Sequence, residues 1–275
     1  MTAPSAPPLS RLVRSELACL MVRRRTWVAL GACASIPLTI GVGLALQHGA
    51  TGPGPGLVAA ATENGLGLPV ASLGVALALL LPLGVSITAA DALAGEASHG
   101  TLRWFLLAPV GRARLVAVKA VGVLVTALLG VAMVTAVGTV VGALVVGGGG
   151  KLLTLSGTVV DTGSALSRIL LAAGWTVVQL AAVGAVALAV SALTDRRLVV
   201  IASVLGGMIL SGVLTVLPAL QALHPVLLTA GWAALGDVLR DPIPAHDLIH
   251  STVLAACYLI VGLAVAVIAT LRREP

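Results

Sequence analysis

The sequence predicts an all-α integral membrane protein with six spans, and three observations carry that prediction. Hydrophobic residues make up 59% of the chain and charged residues 9%, with mean hydropathy +1.11. A soluble domain of 275 residues needs far more polar surface than this. Six segments are free of Asp, Glu, Lys, Arg and His: roughly 26–46, 70–90, 120–146, 169–190, 198–217 and 251–271. Each is long enough to cross a ~30 Å hydrocarbon core as helix. None alternates apolar and polar residues, as a barrel strand would.

Taken in order, residues 2–8 are Pro-rich and predict no regular structure. From 9 to 25, Leu9, Leu12, Val13, Leu17, Leu20 and Met21 recur at helical spacing, with Arg11, Arg14, Ser15 and the arginines 23–25 elsewhere on the wheel. That pattern is too polar to span and suits an amphipathic interfacial helix, an elbow into the first span. Trp27 then sits at headgroup level, and Pro37 and Pro82 are expected to kink the first two spans. Residues 47–69 form a Gly/Pro-rich loop.

Asp91 ends the second span and Gly100 breaks the chain. Thr101 can cap a short helix, 102–107, in which Leu102, Trp104, Phe105, Leu106 and Leu107 are apolar nearly all round. Pro109 stops it, and Gly111-Arg112-Ala113-Arg114 turns the chain into the third span with Lys119 at the membrane surface. A short apolar helix held below the membrane needs lipid or a protein groove to cover it. In the third span Gly122, Thr126, Gly130, Gly138 and Gly142 form a small-residue stripe that permits close helix approach. The segment 147–168 opens with four glycines, and 218–250 carries Pro218, Pro225, Pro242 and Pro244 between short apolar pieces. The latter predicts short interfacial or re-entrant helices. Nothing outside the spans is large enough for a second domain, so residues 1–275 are expected to be one unit.

Of the sixteen basic residues, Arg11, Arg14, Arg23, Arg24, Arg25, Arg103, Arg112, Arg114, Lys119, Arg196, Arg197, Arg272 and Arg273 fall on the side of the two termini, and Lys151, Arg168 and Arg240 on the other. The positive-inside rule puts both termini and the 91–119 loop in the cytoplasm. The net charge of +6 is then a basic rim facing anionic headgroups, not a nucleic-acid surface. Leu30-Gly31-Ala32-Cys33 resembles a lipoprotein cleavage box, but its apolar run continues to Leu46, so it belongs to a retained span. Cys19, Cys33 and Cys257 are odd in number and read as small buried hydrophobes.

No span holds Asp, Glu, His or Lys, which disfavours an ion-coupled carrier. Gln179, near the middle of the fourth span, is expected to make an interhelical hydrogen bond or to touch a substrate pathway. "VVGGGGKLLT" lacks the first glycine of a phosphate-binding loop, with Val145 there, and Leu152 follows Lys151 where Ser or Thr is required. No hydrolase elbow or His/Cys cluster is present, so no catalytic or metal site is expected. Asp91, Glu96 and His99 read as ordinary charges at a helix end.

Glu96, then Gly100-Thr101-Leu102, the short apolar helix, Pro109-Val110-Gly111-Arg112 and Lys119 together resemble the cytoplasmic loop of type-2 ABC transporter permeases. The layout is similar along the whole chain: elbow helix, six spans, both termini inside, short helices before the last span. Glu96 stands alone where the family often carries a denser charged run. The resemblance implies a non-enzymatic membrane subunit of an exporter in a bacterial inner membrane, paired with a second permease copy or paralogue. It implies a separate ABC ATPase subunit that carries ATP and Mg, with residues 102–107 as the coupling helix. The uncharged spans suit a hydrophobic or amphipathic cargo. A membrane scaffold or an intramembrane enzyme is the alternative, though the spans hold no polar catalytic cluster.

Overall fold

The computed structural model describes residues 24–46, 65–95, 112–145, 152–154, 156 and 158–272, with positions 14, 15, 18 and 22 before them. Among these residues the α-helices are α1 Arg24–Leu46, α2 Leu68–Ala78, α3 Leu80–Ala92, α4 Arg112–Val145, α5 Thr162–Leu193, α6 Arg197–Val216 and α7 Ala245–Arg272. The fold is all-α, apart from a two-rung antiparallel ladder between β1 Leu152–Leu153 and β2 Val159–Val160. Of the predicted elbow helix, Arg14, Ser15, Ala18 and Val22 are helical and exposed; the rest of 9–25 before Arg24 lies outside the described residues.

α2 and α3 are bent by 50° at Leu79, and together they form one broken span. Gly65, just before α2, lies against Gly142 near the end of α4, while Asp91 at the end of α3 pairs with Arg25 at the start of α1. The pair therefore runs from one end of the bundle to the other. Pro82 explains the break: it has no N–H for the Ala78 carbonyl and its ring crowds that oxygen. The ladder resumes with the Leu83 N–H on the Leu79 carbonyl at 3.0 Å. Pro37, by contrast, sits inside an unbroken α1.

The glycine stripe packs α4 against this broken span. A Cβ on Gly138 would lie 2.8 Å from Pro69 Cα, and one on Gly130 would lie 2.9 Å from Leu81 Cδ2. α5 is the central helix, 67% buried along its apolar stretch, whereas α6 and α7 are 11% and 17% buried and peripheral. Gly262 of α7 meets the Ala185 backbone, where a Cβ would stand 2.7 Å from the carbonyl carbon. Between α6 and α7 the chain makes two 3-10 segments, Pro218–Val226 and Ala230–Leu239. The second buries Ala234, Leu235, Val238 and Leu239.

The structure revises three expectations. The 91–119 loop is shorter, because α4 begins at Arg112: no glycine or proline interrupts 112–119, and Val116 and Val118 are buried there. Lys119 lies on the second turn of that helix and is 6% exposed, turned into the bundle and away from the rim. Cys33 is buried, but Cys257 is exposed because α7 is peripheral.

Candidate functional site

Two polar corners close the bundle. Asp91, the penultimate residue of α3, meets Arg25 Nη1 of α1 through Oδ2 at 3.1 Å and Arg197 Nη1 of α6 through Oδ1 at 3.0 Å. Arg197 Nη2 also donates to the Gly95 carbonyl at 3.3 Å, and the Ala94 N–H donates to Ser191 Oγ of α5 at 3.0 Å. One carboxylate thus joins the first, second and fifth spans, and the next residues fasten the second to the fourth. This corner stands where the chain enters the segment 96–111. Arg25 is 72% exposed and Asp91 14%, so solvent screens the first pair and its worth is in geometry more than in stability.

At the opposite corner Arg168, near the start of α5, is only 8% exposed. Its Nη1 donates to the Arg240 carbonyl at 2.6 Å and the Val238 carbonyl at 3.1 Å, and its Nη2 to Asp241 Oδ1 at 3.1 Å. Asp241 is held in turn by Thr158 Oγ1 at 3.0 Å and, through its N–H, by Ser156 Oγ at 3.0 Å. A single guanidinium pins the second 3-10 segment and, through Asp241, the β1–β2 hairpin. From Arg168 to Ser191 the helical rise is about 35 Å, more than a ~30 Å hydrocarbon core. The two corners therefore belong to opposite membrane faces. Arg25 and Arg197 share one corner, and Arg168 and Arg240 the other, as the grouping of basic residues predicts.

Between the corners runs a buried seam. Gln179 is fully buried, and its Nε2 donates to the Ser251 carbonyl of α7 at 3.2 Å, while Trp175 Nε1 donates to Ser251 Oγ at 3.2 Å. The amide joins α5 to α7 and does not line the cavity described next.

That cavity, of about 520 Å³, is a trough between α1 and α3 floored by Thr126, Leu129 and Gly130 of α4. Its walls are aliphatic, including Leu30, Cys33, Leu81 and Val85, and its polar groups gather at one end: Arg24, Arg25, Thr26, Thr88 and Asp91. Thr126 Oγ1 is turned back onto the Gly122 carbonyl at 3.1 Å. The bend at Leu79 tilts α3 relative to α2, and Gly84 leaves open space, since a Cβ there meets nothing within 4 Å.

Of the site residues the sequence singles out, Glu96, Gly100, Thr101, Leu102, Trp104, Phe105 and Pro109 lie outside the described residues, as does the side chain of Arg112. Among the described residues no group of three His, Cys, Asp or Glu side chains is placed to hold a metal. The sequence reading missed the partners of Asp91 and Arg168. A signal for the first was available, because Asp91, Arg25 and Arg197 all fall at span ends on the same predicted side.

A family model described as ABC-2 family transporter protein matches residues 12–193, about two thirds of the chain. The match takes in α1 to α5 and the 96–111 segment, and stops before α6. No curated protein matches the chain.

Proposed function

The chain belongs to the ABC-2 transporter family, and from that premise we propose that it is the pathway-forming half of an ATP-driven exporter. The family match over 12–193 is the observation that carries this reading. A membrane permease component of this kind works with a separate ABC ATPase subunit. ATP and Mg are bound on that partner, and a second permease copy or paralogue completes the transporter. Its place is a bacterial inner membrane with both termini in the cytoplasm, the side to which 13 of the 16 basic residues are assigned.

In this reading residues 102–107 dock into the ATPase through Leu102, Trp104 and Phe105. Glu96, Gly100, Thr101, Pro109 and Arg112 shape and anchor the docking loop. The Asp91 corner supports the assignment: the loop's entry is fastened to α1, α5 and α6, so displacement of the loop is delivered to several spans at once. Closure of the ATPase dimer would then favour one of two bundle arrangements over the other. The cargo is hydrophobic or amphipathic, because the apolar cores of the spans carry no Asp, Glu, His, Lys or Arg to couple to a mobile ion.

The test is transport by the complex reconstituted with its partner ATPase. Transport should require ATP hydrolysis and persist when proton and sodium gradients are collapsed. Full activity on a proton gradient without ATP would place the protein among carriers instead.

A further inference from the structure

We propose that the trough between α1 and α3 is a binding site for one anionic phospholipid, with an acyl chain along the trough and the phosphate on Arg24. Its length is the first reason. From Arg24 to Cys33 along α1 the helical rise is about 14 Å, close to half of a ~30 Å hydrocarbon core. The trough therefore runs the depth of one leaflet. Trp27, 58% exposed, stands at the same end as the arginines, where an indole marks headgroup level.

Its access is the second reason. Val28 lines the trough and is 72% exposed, so the trough opens sideways to the acyl chains of the bilayer. A volume of about 520 Å³ lies within the ~300–1,000 Å³ of small-molecule sites. The aliphatic walls match hydrocarbon, and the one hydroxyl on the floor is occupied by its own helix.

Charge is the third reason. Asp91 at the mouth is engaged by Arg25 and Arg197, and among the described residues Arg24 has no ion-pair partner. The mouth thus has a guanidinium to offer an anion and no unengaged carboxylate to offer a cation. A phosphodiester gives such a guanidinium two oxygens, and the fork geometry suits it. The leaflet assigned, the inner one, rests on the orientation proposed above. Lipid binding is read on the purified full-length chain without any ATPase, so failure of this site and failure of the exporter reading are distinguishable.

The experiment is native mass spectrometry of the detergent-purified chain, titrated with phosphatidylglycerol or phosphatidylcholine of identical acyl chains. Both lipids present the phosphodiester, but choline adds a cation beside Arg24 and Arg25 with no unengaged carboxylate to meet it, so wild type should prefer phosphatidylglycerol by about tenfold, the equivalent of about 1.4 kcal/mol. Inorganic phosphate alone should not displace it. Arg24→Gln should bring the two lipids level, Arg24→Lys should keep most of the preference, and Arg272→Gln, an exposed arginine on α7, should behave as wild type. Gly84→Leu fills the trough from a position with room for the side chain and should lose both lipids. Equal binding of both lipids by wild type, loss of the preference in Arg272→Gln, or an undiminished phosphatidylglycerol adduct in Gly84→Leu would each overturn the proposal. If Gly84→Leu fails to fold, the Arg24 pair, on the exposed rim, decides.

Discussion

Asp91 and Arg168 are both ionic, but their surroundings assign them different work. Asp91 is paired with Arg25, 72% exposed, and with Arg197, 30% exposed, both reached and screened by solvent, and ion pairs of this kind contribute about 0–1 kcal/mol. Arg168 is buried and serves two backbone carbonyls and a carboxylate. Removing it leaves the Val238 carbonyl, in a fully buried residue, without its donor, and hydrogen bonds to charged groups are worth about 1.5–3 kcal/mol each. Arg168→Leu should therefore destabilise the chain by about 2–3 kcal/mol in denaturant or thermal unfolding in detergent. Arg168→Lys should recover only part of that, since an ammonium cannot reproduce the planar fork. Asp91→Asn should change stability by less than about 1 kcal/mol, yet slow ATP-driven transport severalfold by loosening the loop from α1 and α6. A large stability loss in Asp91→Asn with intact coupling would reverse the two assignments.

Among the elements, the apolar segment 102–107, where the sequence predicts a short helix, poses the sharpest alternative, since Trp104 and Phe105 could anchor in headgroups or dock in a protein groove. If they enter a groove of the ATPase, each buries much of about 150–250 Å², and a central aromatic contact costs about 2 kcal/mol or more on truncation. That is roughly a thirtyfold loss of affinity. Trp104→Ala with Phe105→Ala should leave expression and membrane insertion intact while sharply reducing copurification of the ATPase and abolishing transport. Retention of both would make the residues headgroup anchors. The spans themselves were legible because a single charge at mid-bilayer is so costly that its absence marks them; the six spans, with α2 and α3 counted as one, begin within a few residues of that reading except where α4, α5 and α7 extend past the core. Pro82 announced a kink but not its 50° size, because Pro37 has the same local chemistry inside an unbroken helix. The 3-10 segments were foreshadowed by Pro218 and Pro225. That Arg168 pins the second of them was not, because contacts some 70 residues apart leave no trace in local periodicity.

Over the whole molecule, the physical question is which face of the bundle meets the cytoplasm. The two corners are separated by more than a hydrocarbon thickness along α5, and they sort the basic residues: Arg25 and Arg197 at one end, Arg168 and Arg240 at the other. With the first end inside, the excess of arginine and lysine lies where translocation of positive charge is resisted, the 96–111 segment can reach a cytosolic ATPase, and the α1–α3 trough opens in the inner leaflet. With the bundle inverted, all three fail together. The outcome can be read from two positions in the chain. In a background with Cys19, Cys33 and Cys257 replaced, single cysteines at Gly56 and Val110 should differ in intact cells treated with a membrane-impermeant thiol reagent. The position-56 cysteine, in the segment before the broken span, should react. The position-110 cysteine, just before α4, should react only after the membrane is permeabilised. The reverse pattern would invert the bundle, and equal labelling of both before permeabilisation would break the even number of crossings between the termini on which the docking loop and the lipid site both depend.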